Sequence, residues 1–453
     1  MQDDATLPYL VGQELFDAIP KGTPLEAYLE WACRQHGAPP AYHVVCAIAA
    51  AIHELARRGF RLGTGAPMSM WFALIGDSAT GKSTAIDMVD DFIHEVWREA
   101  SCTPTVDPWV EANGSIAGLL SSVNEHFDAS RGTTVCMLYE HEFSSLFNTR
   151  EAIAEFLCNL ADGRTIQRNL RELQKAPRAG GGRLDRVYLP CTSGLFATTE
   201  PALAAVFTDA MRHGGLFSRV WWVRPAFDST NFRMRAVDHT AERQDAITAW
   251  TGWLVGLGLH ETFTIQFEPE AWEYLEQRMF RPHAEACTED DDLNPTRIRS
   301  VEKAQVIAAL FATMQGRCVI SVADVELARK FMGIMVTHTR AMQGIGSGTL
   351  MRAITKAELF VRNAGNDGVS KRDMYKKLHT DKRTMDLVLE TLLDRGSVLE
   401  DKATRTTLYV LAETARGQEI LEIRHRKTQR ASGDDEDGSS PSSNVIDMTR
   451  RRG

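Results

Sequence analysis

Much that would narrow this chain's role is missing from it. No apolar run approaches the roughly 20 residues that cross a bilayer. The opening Met1-Gln2-Asp3-Asp4-Ala5 is acidic where a secretory leader is basic and then apolar. A membrane protein is therefore not expected, and a cytoplasmic one is. The eight cysteines, at 33, 46, 102, 136, 158, 191, 287 and 318, are scattered, none of them in a C-x-x-C pair. They read as reduced core thiols, which excludes a zinc site of that spacing and a disulfide frame. There is no internal repeat. An excess of positive charge is also missing: 51 Lys and Arg stand against 60 Asp and Glu, a net charge of −9. The whole surface cannot attract nucleic acid, so any DNA contact must come from local basic patches.

What is present suits a soluble globular protein: 453 residues, 43% hydrophobic and 25% charged. That length implies roughly two to four domains. Residues 71–86 carry the most informative pattern. The apolar run Trp71–Ile75 reads as a buried strand. Gly76-x-x-x-x-Gly81-Lys82-Ser83 follows, and an amphipathic helix is expected from Thr84 to Trp97. Glycines let the backbone wrap phosphates, and the amides at the helix start point at them. Lys82 can reach the β/γ oxygens, and Ser83 can ligate Mg²⁺. The expected ATP contacts are Gly76, Asp77, Ser78, Ala79, Thr80, Gly81, Lys82, Ser83 and Thr84, with Mg²⁺ as the second cofactor.

Around this loop the elements alternate. Helices are expected at Pro24–Gln35 and Ala41–Arg58, packed on the core as an N-terminal helical segment, 1–66. Strands are expected at Trp71–Ile75, Thr134–Tyr139, Arg186–Thr192 and Val220–Val223. Alternation of strand and helix predicts an α/β core at 67–230 with a parallel sheet covered on both faces. A helical lid at 231–345 follows, with one strand at Phe263–Phe267. Residues 346–415 read as three helices and a hairpin, the order of a winged helix. Residues 416–453 form a polar tail, expected to be largely disordered.

Hydrolysis needs a carboxylate at the end of a strand beside the P-loop to orient Mg²⁺, and another to polarise water. Glu140-His141-Glu142 ends the second strand, with Glu140 read as the metal-side group and Glu142 as the water activator. One of the two as a helix cap is the alternative. The third strand ends at Thr192-Ser193, and Thr192 is a candidate γ-phosphate sensor; a turn or capping role is the other reading. Seven cations fall between Arg164 and Arg186, beside Gly180-Gly181-Gly182, and suggest a phosphate-backbone contact or a solvated hairpin. Lys175, Arg178 and Arg183 are the DNA candidates there. Lys382 and Arg383, at the start of the expected recognition helix, are the candidates in the winged helix, although nearby acids leave that module near neutral. Arg219 enters an apolar strand, which is costly unless the guanidinium is paired. It either reaches a nucleotide from the rim or forms a structural salt bridge.

These residues together resemble the AAA+ P-loop ATPases of phages, plasmids and integrated mobile elements, which are related to primase-helicases. The likeness rests on the helical lead-in, the P-loop, Glu140-His141-Glu142-Phe143, Asp162-Gly163 and Gly215–Arg219, over about residues 24–345. Leu216-Phe217-Ser218-Arg219-Val220 is also similar to a segment of minichromosome-maintenance helicases. Two departures are His141 between the glutamates and Val220 after the arginine. The resemblance implies that Arg219 completes a neighbour's ATP site in trans, within a hexameric ring. It also implies that a lid arginine, Arg297 or Arg299, touches the γ-phosphate. The function it implies is a Mg²⁺-ATP-driven helicase or initiator on single-stranded or forked DNA. The rivals are an ATP-gated assembly factor serving a replication or defence partner, such as a helicase loader, transposition regulator or anti-phage ATPase, and an ATP-binding scaffold.

Overall fold

In this computed structural model the described residues are 13–35, 37–112, 116–147, 152–167, 186–206, 215–225, 240–258, 263–286, 294–342, 349–378, 382–394, 398–402, 407–412 and 414–423. The chain divides into two compact units, Leu7–Ser347 and Gly348–Gly453.

A short helix, Gln13–Asp17, opens the first unit and is followed by α1 (Pro24–Gln35) and α2 (Pro40–Arg57). Both α1 and α2 start on a proline, whose fixed φ suits a first helical turn. The alanine-rich α2 is buried from Ala41 to Ala56, because small side chains let it lie against the sheet. Then follow β1 (Phe60–Leu62), β2 (Trp71–Ile75), α3 (Lys82–Glu99), β3 (Trp109–Glu111) and β4 (Met137–Glu140). After these come α4 (Ala152–Ala161), β5 (Ser193–Thr198), α5 (Glu200–Val206) and β6 (Trp221–Val223).

Five of these strands form one parallel sheet in the order β6-β2-β5-β4-β3. Side chains along β2 alternate between its two faces. Phe72 and Leu74 join the core with α2 and α3, while Trp71, Ala73 and Ile75 join the other core with α4 and Phe143. Both faces are thus apolar and covered, as a parallel sheet requires. Each large side chain buried this fully contributes about 1.5–3 kcal/mol.

Further along the unit come α6 (Thr240–Leu257), β7 (Phe263–Phe267), α7 (Asn294–Met314), β8 (Val319–Ile320) and α8 (Val322–Met342). A second parallel sheet, β1-β7-β8, joins a strand from before the P-loop to two from the expected lid. Residues expected as a lead-in, a core and a lid therefore share one compact unit.

Two expectations about the main sheet need correction. The strand expected at Arg186–Thr192 is only Arg186–Val187; the sheet strand is Ser193–Thr198. Pro190 breaks the earlier run, and Leu189 sits at φ 36°, which no strand accommodates. The edge strand Trp109–Glu111 was not anticipated, since three residues after a proline carry almost no periodic signal.

The second unit runs α9 (Thr349–Ala364), β9 (Val369–Ser370), α10 (Lys371–Leu378), α11 (Lys382–Asp394), β10 (Val398–Asp401) and β11 (Leu408–Leu411). Its strands form an antiparallel sheet, β9-β11-β10. Val361, Met374, Met385 and Leu392 build its core. Residues 415–423 are helical rather than tail, and Ile420 anchors them on Leu399 and Val410. Residues 424–453 lie outside the described set.

Candidate nucleotide site

The chain leaves β2 at Ile75 and turns through Gly76–Gly81 into α3. Gly76 is required by a close approach. A Cβ there would strike the Tyr42 hydroxyl and lie 2.8 Å from Thr80 Oγ1. That hydroxyl, from α2, donates to the Ile75 carbonyl at 2.7 Å. Ala79 (φ 64°) and Gly81 (φ 82°) bend the loop through the left-handed region, at a cost of roughly 1–2 kcal/mol for the alanine. Gly81 caps α3 without a side-chain bond, so the first amides of the helix have no intrahelical acceptor. That is the geometry of an anion site.

Lys82 is 8% exposed and folds back over the loop. Its Nζ donates to the carbonyls of Gly76 (2.9 Å) and Asp77 (2.6 Å), with Thr80 Oγ1 at 3.4 Å. Burial pushes the Lys82 ammonium below its ordinary pKa, and the charges of Glu142 and Asp77 partly restore it. Glu142 is thus within electrostatic reach of the P-loop lysine. Asp77, Ser78, Ala79 and Ser83 are exposed on the loop, with Thr84 half-buried behind them.

Glu140 ends β4 and is 6% exposed. Its Oε1 accepts from the Glu142 amide at 3.0 Å, while Oε2 is buried without a hydrogen-bond partner. A buried carboxylate oxygen with no donor is costly unless a cation faces it. This acceptor, with the Ser83 hydroxyl at the start of α3, fits Mg²⁺, which takes one or two protein ligands and fills its shell with water and phosphate. Among the described residues no group of three or more His, Cys, Asp or Glu could hold a metal by itself. His141 Nε2 lies 3.3 Å from Asp87 Oδ1, tying the glutamate segment to α3. Asp87 and Tyr42 are members of this site that sequence reasoning missed; neither sits in a motif.

Parallel register decides which threonine stands beside the P-loop. Ile75 stands opposite Thr198, and the Gly76 amide lies 3.4 Å from the Thr198 carbonyl. Thr198 and Thr199 therefore flank the loop. Thr192, the expected sensor, precedes Gly194, which pairs with Trp71 at the start of β2. Its hydroxyl is 3.4 Å from the Leu160 carbonyl, and its own carbonyl accepts from the Trp71 indole at 2.7 Å. Thr192 stands just before the start of β5, about 20 Å of strand from Thr198 beside the loop.

Three of the expected arginines also gather at that far end. Asp162, just after α4, receives Arg219 through Nε (2.8 Å) and Nη2 (2.6 Å), and Arg299 through Nη1 (2.9 Å). Arg164 Nε is 3.5 Å away. Burial pushes the Asp162 carboxyl up, but the Arg219 and Arg299 bonds and charges outweigh it and hold it below the ordinary range. Within this chain, Arg219 is the paired arginine of the salt-bridge reading. Arg297 bonds Asn294 Oδ1 at 3.2 Å, two residues from Arg299. The start of α7 thus holds Arg299 on Asp162, with Arg297 two residues before it.

Of the DNA candidates, Lys175, Arg178 and Arg183 lie outside the described residues. Lys382 is exposed at the start of α11 and Arg383 follows it. No described helix is long and apolar enough to cross a membrane.

No family model matches the chain, and no curated protein matches it. Solved structures of the Aeropyrum pernix ORC2 protein are similar at 15% identity. One, of ADPNP-ADP complexes, covers 85% of this chain and 94% of its own, with a TM-score of 0.27. The other, an ADP form, covers 85% and 93% with a TM-score of 0.26. So loose a superposition speaks to neither fold nor activity.

Proposed function

We propose that the chain is a Mg²⁺-dependent ATPase of AAA+ type that acts on DNA as an oligomer, a replicative helicase or initiator of a mobile element. The observation that carries the reading is the P-loop end of the sheet. Lys82 lies over the loop carbonyls, and Glu140 keeps a buried oxygen free of donors. Lys82 and the loop amides would hold the phosphates. Ser83 and Glu140 would hold Mg²⁺, which would neutralise charge on the β and γ oxygens. Glu142 would orient and deprotonate water, and Thr198 replaces Thr192 as the γ-phosphate sensor. Placing Arg219 at the opposite end from its own P-loop supports a role in trans, since head-to-tail contacts that close generate rings. The second unit, with three helices and an antiparallel sheet, would serve as the winged helix through Lys382 and Arg383.

The bidentate hold of Asp162 on Arg219 favours a second reading. If that pair never opens, turnover stays slow and the protein acts as an ATP-gated assembly factor. Steady-state hydrolysis with and without single-stranded DNA, alongside strand separation on a fork, distinguishes them. Stimulation and unwinding support the motor. ATP-dependent oligomers without unwinding support the assembly factor, and failure to bind Mg²⁺-ATP removes both.

A further inference from the structure

The two strands that flank β2 each deliver a charge to its C-terminal end. On one side Val223 of β6 pairs with Leu74, so Arg224 comes level with Ile75. On the other side Thr198 of β5 pairs with Ile75, and Glu200 opens α5 two residues later. Arg224 Nη2 and Glu200 Oε2 are 2.5 Å apart. Neighbouring strands lie about 4.8 Å apart, so this ion pair spans about 10 Å across the top of β2. It therefore bridges the point where the chain turns into Gly76. The guanidinium also acts electrostatically on Tyr42, whose hydroxyl holds the Ile75 carbonyl, and Asp77 acts on the same group with opposite sign. Both partners are reachable, with side-chain exposures of 19% for Arg224 and 39% for Glu200.

The backbone at Arg224 makes a further connection. Its amide donates to His338 Nδ1 at 3.3 Å. His338 is 2% exposed on α8, and burial lowers its pKa to about 4, so the imidazole is neutral and keeps a lone pair for that bond. One residue thus joins the edge of the phosphate loop, the start of α5 and helix α8.

We propose that the Glu200–Arg224 pair senses the phosphate state of the bound nucleotide: a triphosphate draws the guanidinium off Glu200, and a diphosphate leaves the pair closed. A guanidinium presents the same planar fork to a carboxylate and to a phosphate, so the exchange needs no new geometry. A γ-phosphate places its charge near the strand ends, beside Glu200, which it repels while attracting Arg224. The release frees α5 on one side and shifts the Arg224 amide against His338 on the other, carrying the change to α8. Arg224 is here a positioning and discriminating residue, not the water activator.

This inference rests on the nucleotide-binding reading, and the test separates the two. Affinities of the full chain for a non-hydrolysable ATP analogue and for ADP, each with Mg²⁺, are measured for wild type, Glu200→Gln and Arg224→Ala. Glu200→Gln removes the competitor and should bind the triphosphate about fivefold tighter, while Arg224→Ala should bind it about tenfold weaker. ADP affinity should stay within about twofold in both. Opposite signs from two partners of one contact cannot come from lost packing. Were Arg224→Ala to misfold, Glu200→Gln alone still decides. An unchanged triphosphate-to-diphosphate ratio, or shifts of the same sign, overturns the sensor and leaves the nucleotide site standing. A wild-type chain that binds neither nucleotide removes the site itself.

Discussion

The two ends of the parallel sheet solve opposite electrostatic problems. At the C-terminal end, Glu140 buries an oxygen that nothing donates to, and Lys82 is held by carbonyls rather than by a carboxylate. At the N-terminal end, Asp162 is matched on both oxygens by Arg219 and Arg299. A group left short of partners costs stability, and a protein keeps that cost where a ligand repays it. Within one chain the satisfied end is complete as folded, and a role in trans would require Arg219 to leave Asp162. Motif residues stand at both ends, so it is their state of satisfaction that tells a prepared site from a finished one.

The largest expected effects fall on the unsatisfied end. Lys82→Ala should lower ATP turnover by at least about a hundredfold, since the ammonium faces charge that develops in the transition state. Glu142→Gln should lower turnover by roughly 10²–10⁴ while nucleotide binding survives. Measured hydrolysis within tenfold of wild type in both variants would erase the contrast.

Asp162→Ala should act differently. It should cost on the order of 3 kcal/mol in denaturant unfolding, because two guanidiniums lose their counter-charge in a partly buried place. Nucleotide affinity of the isolated chain should hold. Loss of affinity with stability unchanged would mean that the two ends had been assigned the wrong way round.

Acid should separate the ends as well. His338, behind the P-loop end, has its folded pKa lowered to about 4 against an ordinary value of 6.5. Between those values the unfolded chain binds the extra proton, so stability falls as pH drops from about 6.5 to 4, by about 3 kcal/mol in total. His338→Asn should remove its share of that slope and leave the share of His53, whose pKa burial also lowers to about 4. Asp162 has a lowered pKa, so its contribution is intact above the ordinary carboxylate range and is lost only as pH falls below it. Unfolding free energy measured across pH 3–8 checks both signs.

The smallest effect is expected from Thr192→Val. With its hydroxyl on Leu160 at the far end, it should cost about 1 kcal/mol of stability and leave ATP affinity and turnover unchanged. Thr198→Val should do the reverse. A turnover defect in Thr192→Val would restore it as the sensor.

Much of the architecture was legible in the chain. Trp71–Ile75, Pro24–Gln35 and Phe263–Phe267 fall where their patterns place them. The second unit holds three helices, the number expected between 346 and 415. Errors came where local signal is weak or misleading. The apolar stretch before Pro190 looked more like a strand than Ser193–Thr198, which contains a glycine and a serine but lies wholly buried. Which polar residue ends beside the loop followed that error, since a strand displaced along the chain carries a different residue to its tip.

Periodicity and the P-loop spacing, both local properties, determined by themselves that a glycine-rich turn joins a buried strand to an amphipathic helix. The tertiary structure alone decided which charges meet. Asp162 finds Arg219 at 57 residues and Arg299 at 137, and Arg224 reaches Glu200 across the P-loop strand. Those pairings depend on strand order and register, which arise from burying both faces of the sheet at once and leave no trace in the spacing of residues along the chain.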